Sequence, residues 1–128
     1  MVLHSRWSHV DRFTDDPRSA SQARAFVREH LVEHGLETLV DDVALVVSEL
    51  ASNAVRHAGT PFTVFLNGAE KSVVVGVEDG SAGVPRPVAS GPFDLGGRGL
   101  DIVEQVSCAW GVRAQGQRKS VWARFEVP

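Results

Sequence analysis

The chain has 128 residues, 43% of them hydrophobic, which suits one compact domain over residues 1–128 and is too few for two with full-sized cores. Its formal charge of −3, with 13 Lys plus Arg against 16 Asp plus Glu and no run of like charge, offers no basic face to a phosphate backbone, so direct nucleic-acid binding is not expected. The single cysteine, Cys108, excludes an intrachain disulfide and a cysteine zinc cluster; with no signal-peptide core in "MVLHSRWSHVDRF" and no apolar run near a membrane span, a cytoplasmic protein without membrane contact is expected.

Residues 6–13, "RWSHVDRF", alternate well enough for a first strand, with Trp7, His9 or Val10, and Phe13 competing to define the buried face. A helix follows, with Asp16 placed to cap it, Pro17 at its first position, and Ala23, Phe26, Val27, His30 and Leu31 as its inner stripe; Gly35 ends it. A second helix is predicted from about Glu37 to His57, stopped by Gly59 and Pro61. The period then changes from helical to alternating. "FTVFLNG" and "SVVVGVED" read as a β-hairpin turning at "NGAEK".

From Gly80 to Gly97, five glycines and three prolines exclude regular structure, and a loop of this length is read as a lid. "GLDIVEQVS" restores a short helix with Leu100, Val103 and Val106 inward, and "CAWGVRAQ" and "SVWARFEV" form a last strand pair around "GQRK". Runs of strands and helices without βα alternation imply an α+β two-layer sandwich, helices on one face of a mostly antiparallel sheet.

Three segments carry candidate chemistry. On a helical wheel Glu49 and Asn53 fall about 40° apart, with Asp42 and Arg56 nearby and Val43, Val47, Leu50 and Ala54 on the opposite arc. Taken alone, that pair is the wet stripe of an ordinary amphipathic helix. Asp79 lies just past the last apolar residue of its strand, where a carboxylate can accept a hydrogen bond from an exocyclic amine such as that of adenine. Gly96, Gly97 and Gly99 precede a helix N-terminus, whose free N–H groups favour phosphate. The remaining polar and aromatic residues have plainer readings. His30 and His34 lie on the inner or boundary stripe of the first helix with no third metal ligand in view. Trp7, Trp110 and Trp122 pack core or sheet, and Cys108 is a small buried apolar side chain.

"ELASNAVRHA", "VEDGSAGVP" and "GGRGLDIVEQVS" resemble the N, G1 and G2 boxes of the GHKL ATPase superfamily, and the short chain is most similar to its anti-sigma factor branch, serine/threonine kinases abundant in actinobacteria. The resemblance implies a Bergerat-type ATP-binding fold with three helices on one face of the sheet, and ATP and Mg²⁺ as ligands. It implies Asn53 as the Mg²⁺ ligand, Glu49 as general base toward a serine hydroxyl, and Asp79 as the adenine reader. Gly83, Gly97 and Gly99 match the loop and phosphate-side glycines, followed by Leu100. His57 either caps its helix or sits beside the nucleotide, and Arg98 either reaches a phosphate or is a lid-edge charge. Ser81 stands where the first G1 glycine belongs, and a Cβ there narrows the backbone. The implied partners are a sigma factor and a STAS-domain anti-sigma factor antagonist. A homodimer is expected, through the sheet face or the first helix. Two other readings stand beside this one: a non-catalytic module that sequesters a regulator, and a detached histidine kinase catalytic domain.

Overall fold

The computed structural model describes residues 6–80, 99–116 and 118–128, and the side chains of His57, Ala58, Leu100 and Gln115 lie outside that description. The elements are β1 (Trp7–Phe13), α1 (Ser19–Glu33), α2 (Val40–Asn53), β2 (Phe62–Gly68), β3 (Ser72–Asp79), α3 (Gly99–Val106), β4 (Ala109–Gln115) and β5 (Arg118–Glu126). A 3₁₀ turn, Glu37–Leu39, leads into α2, and a π-helical turn, Ala54–Ala58, leaves it.

The five strands form one sheet in the order β1-β2-β3-β5-β4, every neighbouring pair antiparallel. The last hairpin is turned relative to a simple meander: β5 lies inside against β3, and β4 takes the edge. β4, reached through α3, therefore runs parallel to β3, one strand away from it. The slot left between β3 and β4 is filled by β5.

Alternation decides the phase of each strand. In β1, Trp7, His9 and Phe13 take the helix side, because Val10 is 63% exposed. Phe62, Val64 and Leu66 of β2 and Val73, Val75 and Val77 of β3 face inward, and Val121, Ala123 and Phe125 of β5 complete that surface. α2 covers it, flanked by α1 and α3, and is buried along Val43, Val46, Val47, Leu50 and Ala51. Each large side chain fully buried here, such as Leu50 or Phe62, contributes about 1.5–3 kcal/mol.

Local chemistry sets the ends of α1. The helix begins at Ser19, two residues later than the sequence suggests. Asp16 spends its carboxylate on the Arg18 N–H (2.7 Å) and Arg18 guanidinium, closing a turn that holds Pro17 outside the helix. Ser19, fully buried, donates its hydroxyl to the Thr14 carbonyl at 2.7 Å and ties the helix start to the end of β1. At the other end Gly35, at φ 74°, lets Leu36 N–H reach the Leu31 carbonyl (2.8 Å) and Gly35 N–H reach that of Val32 (3.0 Å), a Schellman ending.

Two expectations are corrected. Cys108 is exposed: it sits between α3 and β4 rather than inside a strand, its N–H donating to the Arg124 carbonyl at 2.8 Å. The predicted continuous helix 37–57 is divided into 3₁₀, α and π segments. The tryptophans do pack on the sheet: a Cβ on Gly68 would overlap the Trp7 ring, and Trp122 covers Gly111 on the face away from the helices. Among the described residues no helix is long and apolar enough to cross a membrane.

Candidate functional site

The site grows from the C-terminal half of α2. Leu50 and Ala54 point into the core, and Asn53 stands about 60° from Leu50 around the helix, close enough that its amide is carried inward: it is 4% exposed. Asn53 is therefore no part of a wet stripe. Among the described residues its Oδ1 has no hydrogen-bond partner. A buried acceptor left unpaired costs on the order of 1–3 kcal/mol, and so calls for an explanation. An amide oxygen is a hard donor of the kind Mg²⁺ accepts. Glu49, one turn earlier, is half-buried, and its neighbour Ser48 accepts a 2.8 Å hydrogen bond from the Arg24 guanidinium, which ties this part of α2 to α1.

Beyond Asn53 the helix widens. Gly59 N–H donates to the Ala54 carbonyl at 3.3 Å across five residues, and Gly59 itself takes φ 64°, which ends the turn. Such π-turns are rare and recur at functional sites. This one packs against β3, and the chain then passes through Thr60 and Pro61 to Phe62, which lies directly across from Asp79 in the sheet. Thr60 Oγ1, like Asn53 Oδ1, is buried without a partner among the described residues. Asp79 is 4% exposed on the helix side of the sheet, at the last position of β3. The carboxylates of Glu78 and, more weakly, Asp79 hold the Arg118 guanidinium above its ordinary range, Glu78 through a 3.0 Å ion pair.

The structure thus brings Asn53 and Asp79 to one end of the helix–sheet interface, both buried, with Glu49 half-buried one turn behind Asn53. His57 lies in the π-turn and Gly99 opens α3. Gly83, Gly97, Arg98 and the expected lid lie outside the described residues, as do the side chains of His57 and Leu100. Sequence reasoning missed Thr60 and Arg24. The only local signal for Thr60 was its place in "AGTP", just after a helix stop, and Arg24 gave none.

The family profile of the histidine kinase-like ATPase domain matches residues 13–125. The chain therefore belongs to that family, a class whose description names ATP chemistry. The solved structure of the RsbU and RsbW domains of Rv1364c from Mycobacterium tuberculosis superposes with a TM-score of 0.69 at 17% identity, over 95% of this chain. The chain spans 33% of the length of that structure, and the likeness is one of fold. No curated protein matches the sequence.

Proposed function

We propose that this domain binds Mg–ATP between the C-terminal end of α2 and the segment following β3, and acts as a protein serine/threonine kinase of the anti-sigma factor type. The single observation that carries the reading is the buried Oδ1 of Asn53, unpaired and one helical turn from Glu49, in a chain of the histidine kinase-like ATPase family. Asn53 would hold Mg²⁺, which neutralises phosphate charge during transfer. Asp79 would accept a hydrogen bond from the adenine amine. The Glu49 carboxylate would take the proton of a serine hydroxyl as its oxygen bonds to the γ-phosphorus and the bond to the β-phosphate oxygen breaks, releasing ADP.

The partners proposed are a STAS-domain anti-sigma factor antagonist as phosphoacceptor and a sigma factor as the protein sequestered, in the cytoplasm. The fold likeness to a structure containing an RsbW domain and the three sequence boxes support this choice. Calorimetric titration with Mg–ATP tests the nucleotide site: binding in the micromolar range, about −8 kcal/mol, is expected. Asp79→Asn should weaken it roughly 10- to 100-fold, the worth of a hydrogen bond to a charged group. Undiminished binding in that variant would remove Asp79 from the adenine role.

Ser81, in place of a G1 glycine, favours a second reading in which the domain binds ATP and sequesters its partner without transferring phosphate. Tight nucleotide binding with no labelled phosphate on any cognate antagonist would decide for it. A phosphohistidine product on a separate protein would instead mark a detached histidine kinase catalytic domain.

A further inference from the structure

The helix-side face of β1 and the last turn of α1 bring together four side chains that the nucleotide site does not use. His30, Glu33 and His34 stand at i, i+3 and i+4 and so share one face of α1. The Schellman ending stops the helix directly after them. The phase of β1 adds His9 from the opposite side, the third imidazole that the sequence alone did not place.

Their geometry is close. His9 Nε2 and His34 Nε2 are 2.9 Å apart, and His30 Nδ1 lies 2.9 Å from Glu33 Oε1. His9 stacks on His30 with centroids 3.7 Å apart, and one ligand atom each of His9, His30 and Glu33 lies within 4.8 Å of the others. Ligand atoms around a tetrahedral zinc ion with bonds of ~2.0–2.1 Å sit about 3.3 Å from one another, so binding would require His9 and His30 to rotate out of their stack to converge these atoms. The rings are also held from behind. His34 lies flat on Trp7 (3.9 Å, 6°), and Trp7 is seated on the bare backbone of Gly68.

We propose that His9, His30 and Glu33, with His34 beside His9, form a binding site for a divalent transition-metal ion of the zinc class. Imidazole nitrogens with one carboxylate select such ions over Mg²⁺ and Ca²⁺, which take oxygen ligands. Burial, and then the neighbouring His30 and His34, push the His9 imidazole below its ordinary range against the opposing pull of Glu33. A groove of about 700 Å³ between β1 and α1, lined in part by Phe26, borders the site at His30. His9 pairs with Leu66, four residues along β2 from Phe62, so the site stands ~13 Å along the strand from the Asp79 end. The ion would pin the edge strand to α1 and leave the nucleotide residues untouched.

The test uses the full chain, free of any affinity tag and stripped with a chelator. Titration with Co²⁺ should give the visible absorption bands of a tetrahedral site, discharged by one equivalent of Zn²⁺. Zn²⁺ at about 100 times its Kd should raise the melting temperature by ~5 °C or more, and Mg²⁺ in its place should not. His9→Gln and Glu33→Gln should each weaken Zn²⁺ binding at least ~10-fold. Should His9→Gln fail to fold by circular dichroism, Glu33→Gln carries the test, since that side chain is 57% exposed. Absence of Co²⁺ bands, or affinity undiminished in the folded variants, would overturn the site.

Discussion

The two ends of the β1–β2 ladder hold their polar groups in opposite ways. At the Phe62 end, Asn53 Oδ1 and Thr60 Oγ1 are buried and, among the described residues, unpaired. At the Trp7 end, His9, His30, Glu33 and His34 are paired with one another at 2.9 Å. An unpaired buried oxygen is a cost to the fold that a ligand can relieve, whereas a paired cluster is stable in its own right and must exchange its internal hydrogen bonds for a ligand. The first end therefore acts on stability and binding in opposite directions, and the second in the same direction.

Substitutions can break this contrast. The largest effect is expected for Glu49→Gln, which should lower phosphoryl transfer to a cognate antagonist by about 10²–10⁴-fold while leaving Mg–ATP affinity within a few-fold. Transfer at the wild-type rate, followed with labelled phosphate, would remove Glu49 from the base role. At the other end, Gly68→Ala forces a Cβ into the Trp7 ring, and overpacking of this kind costs roughly 1–3 kcal/mol. A lowered urea midpoint with unchanged nucleotide affinity would show the two ends to be independent.

Asn53→Leu sharpens the comparison. Removing the amide, whose Oδ1 is unpaired among the described residues, should change stability by no more than about 1 kcal/mol, while Mg²⁺-dependent nucleotide binding is lost. A larger fall in the urea midpoint would instead mean that the amide serves the fold. The smallest effect belongs to Asp16, whose carboxyl is held down to about 2, first by the hydrogen bonds from the Arg18 side chain and backbone. A depressed carboxylate contributes stability that is fully present above its ordinary value of 3.8 and is lost as pH falls from there toward 2. Acid unfolding monitored over that window should flatten slightly in Asp16→Asn, and the effect is small because the pair is exposed.

Legibility in the sequence followed the range of the interactions. The β2–β3 hairpin and the apolar stripe of α2 were readable because two-residue and 3.6-residue periods are local properties of the chain. The burial of Asn53 was not, since a helical wheel ranks residues by angle and says nothing of how far the sheet wraps around the helix. The π-turn escaped for a related reason: "AVRHA" is as good a continuation of an α-helix as of anything wider. The position of β5 inside β4 depends on where α3 packs, and the meeting of His9 with His30 and His34 depends on the phase of an edge strand. Neither is encoded within either segment alone. The three boxes placed Glu49, Asn53 and Asp79 in one site as expectations, and the structure supplied what no motif states, which of their atoms are buried and which lack a partner.

The face-to-face stack of Trp7 on His34 carries an optical consequence. Indole emission is quenched by a protonated imidazole or a paramagnetic ion in contact with the ring, so the fluorescence of Trp7 reports on this end of the molecule. Trp110 and Trp122, on β4 and β5 across the sheet, supply an internal reference. One cuvette, with no label attached, can then follow the edge strand as a fractional loss of the summed tryptophan emission.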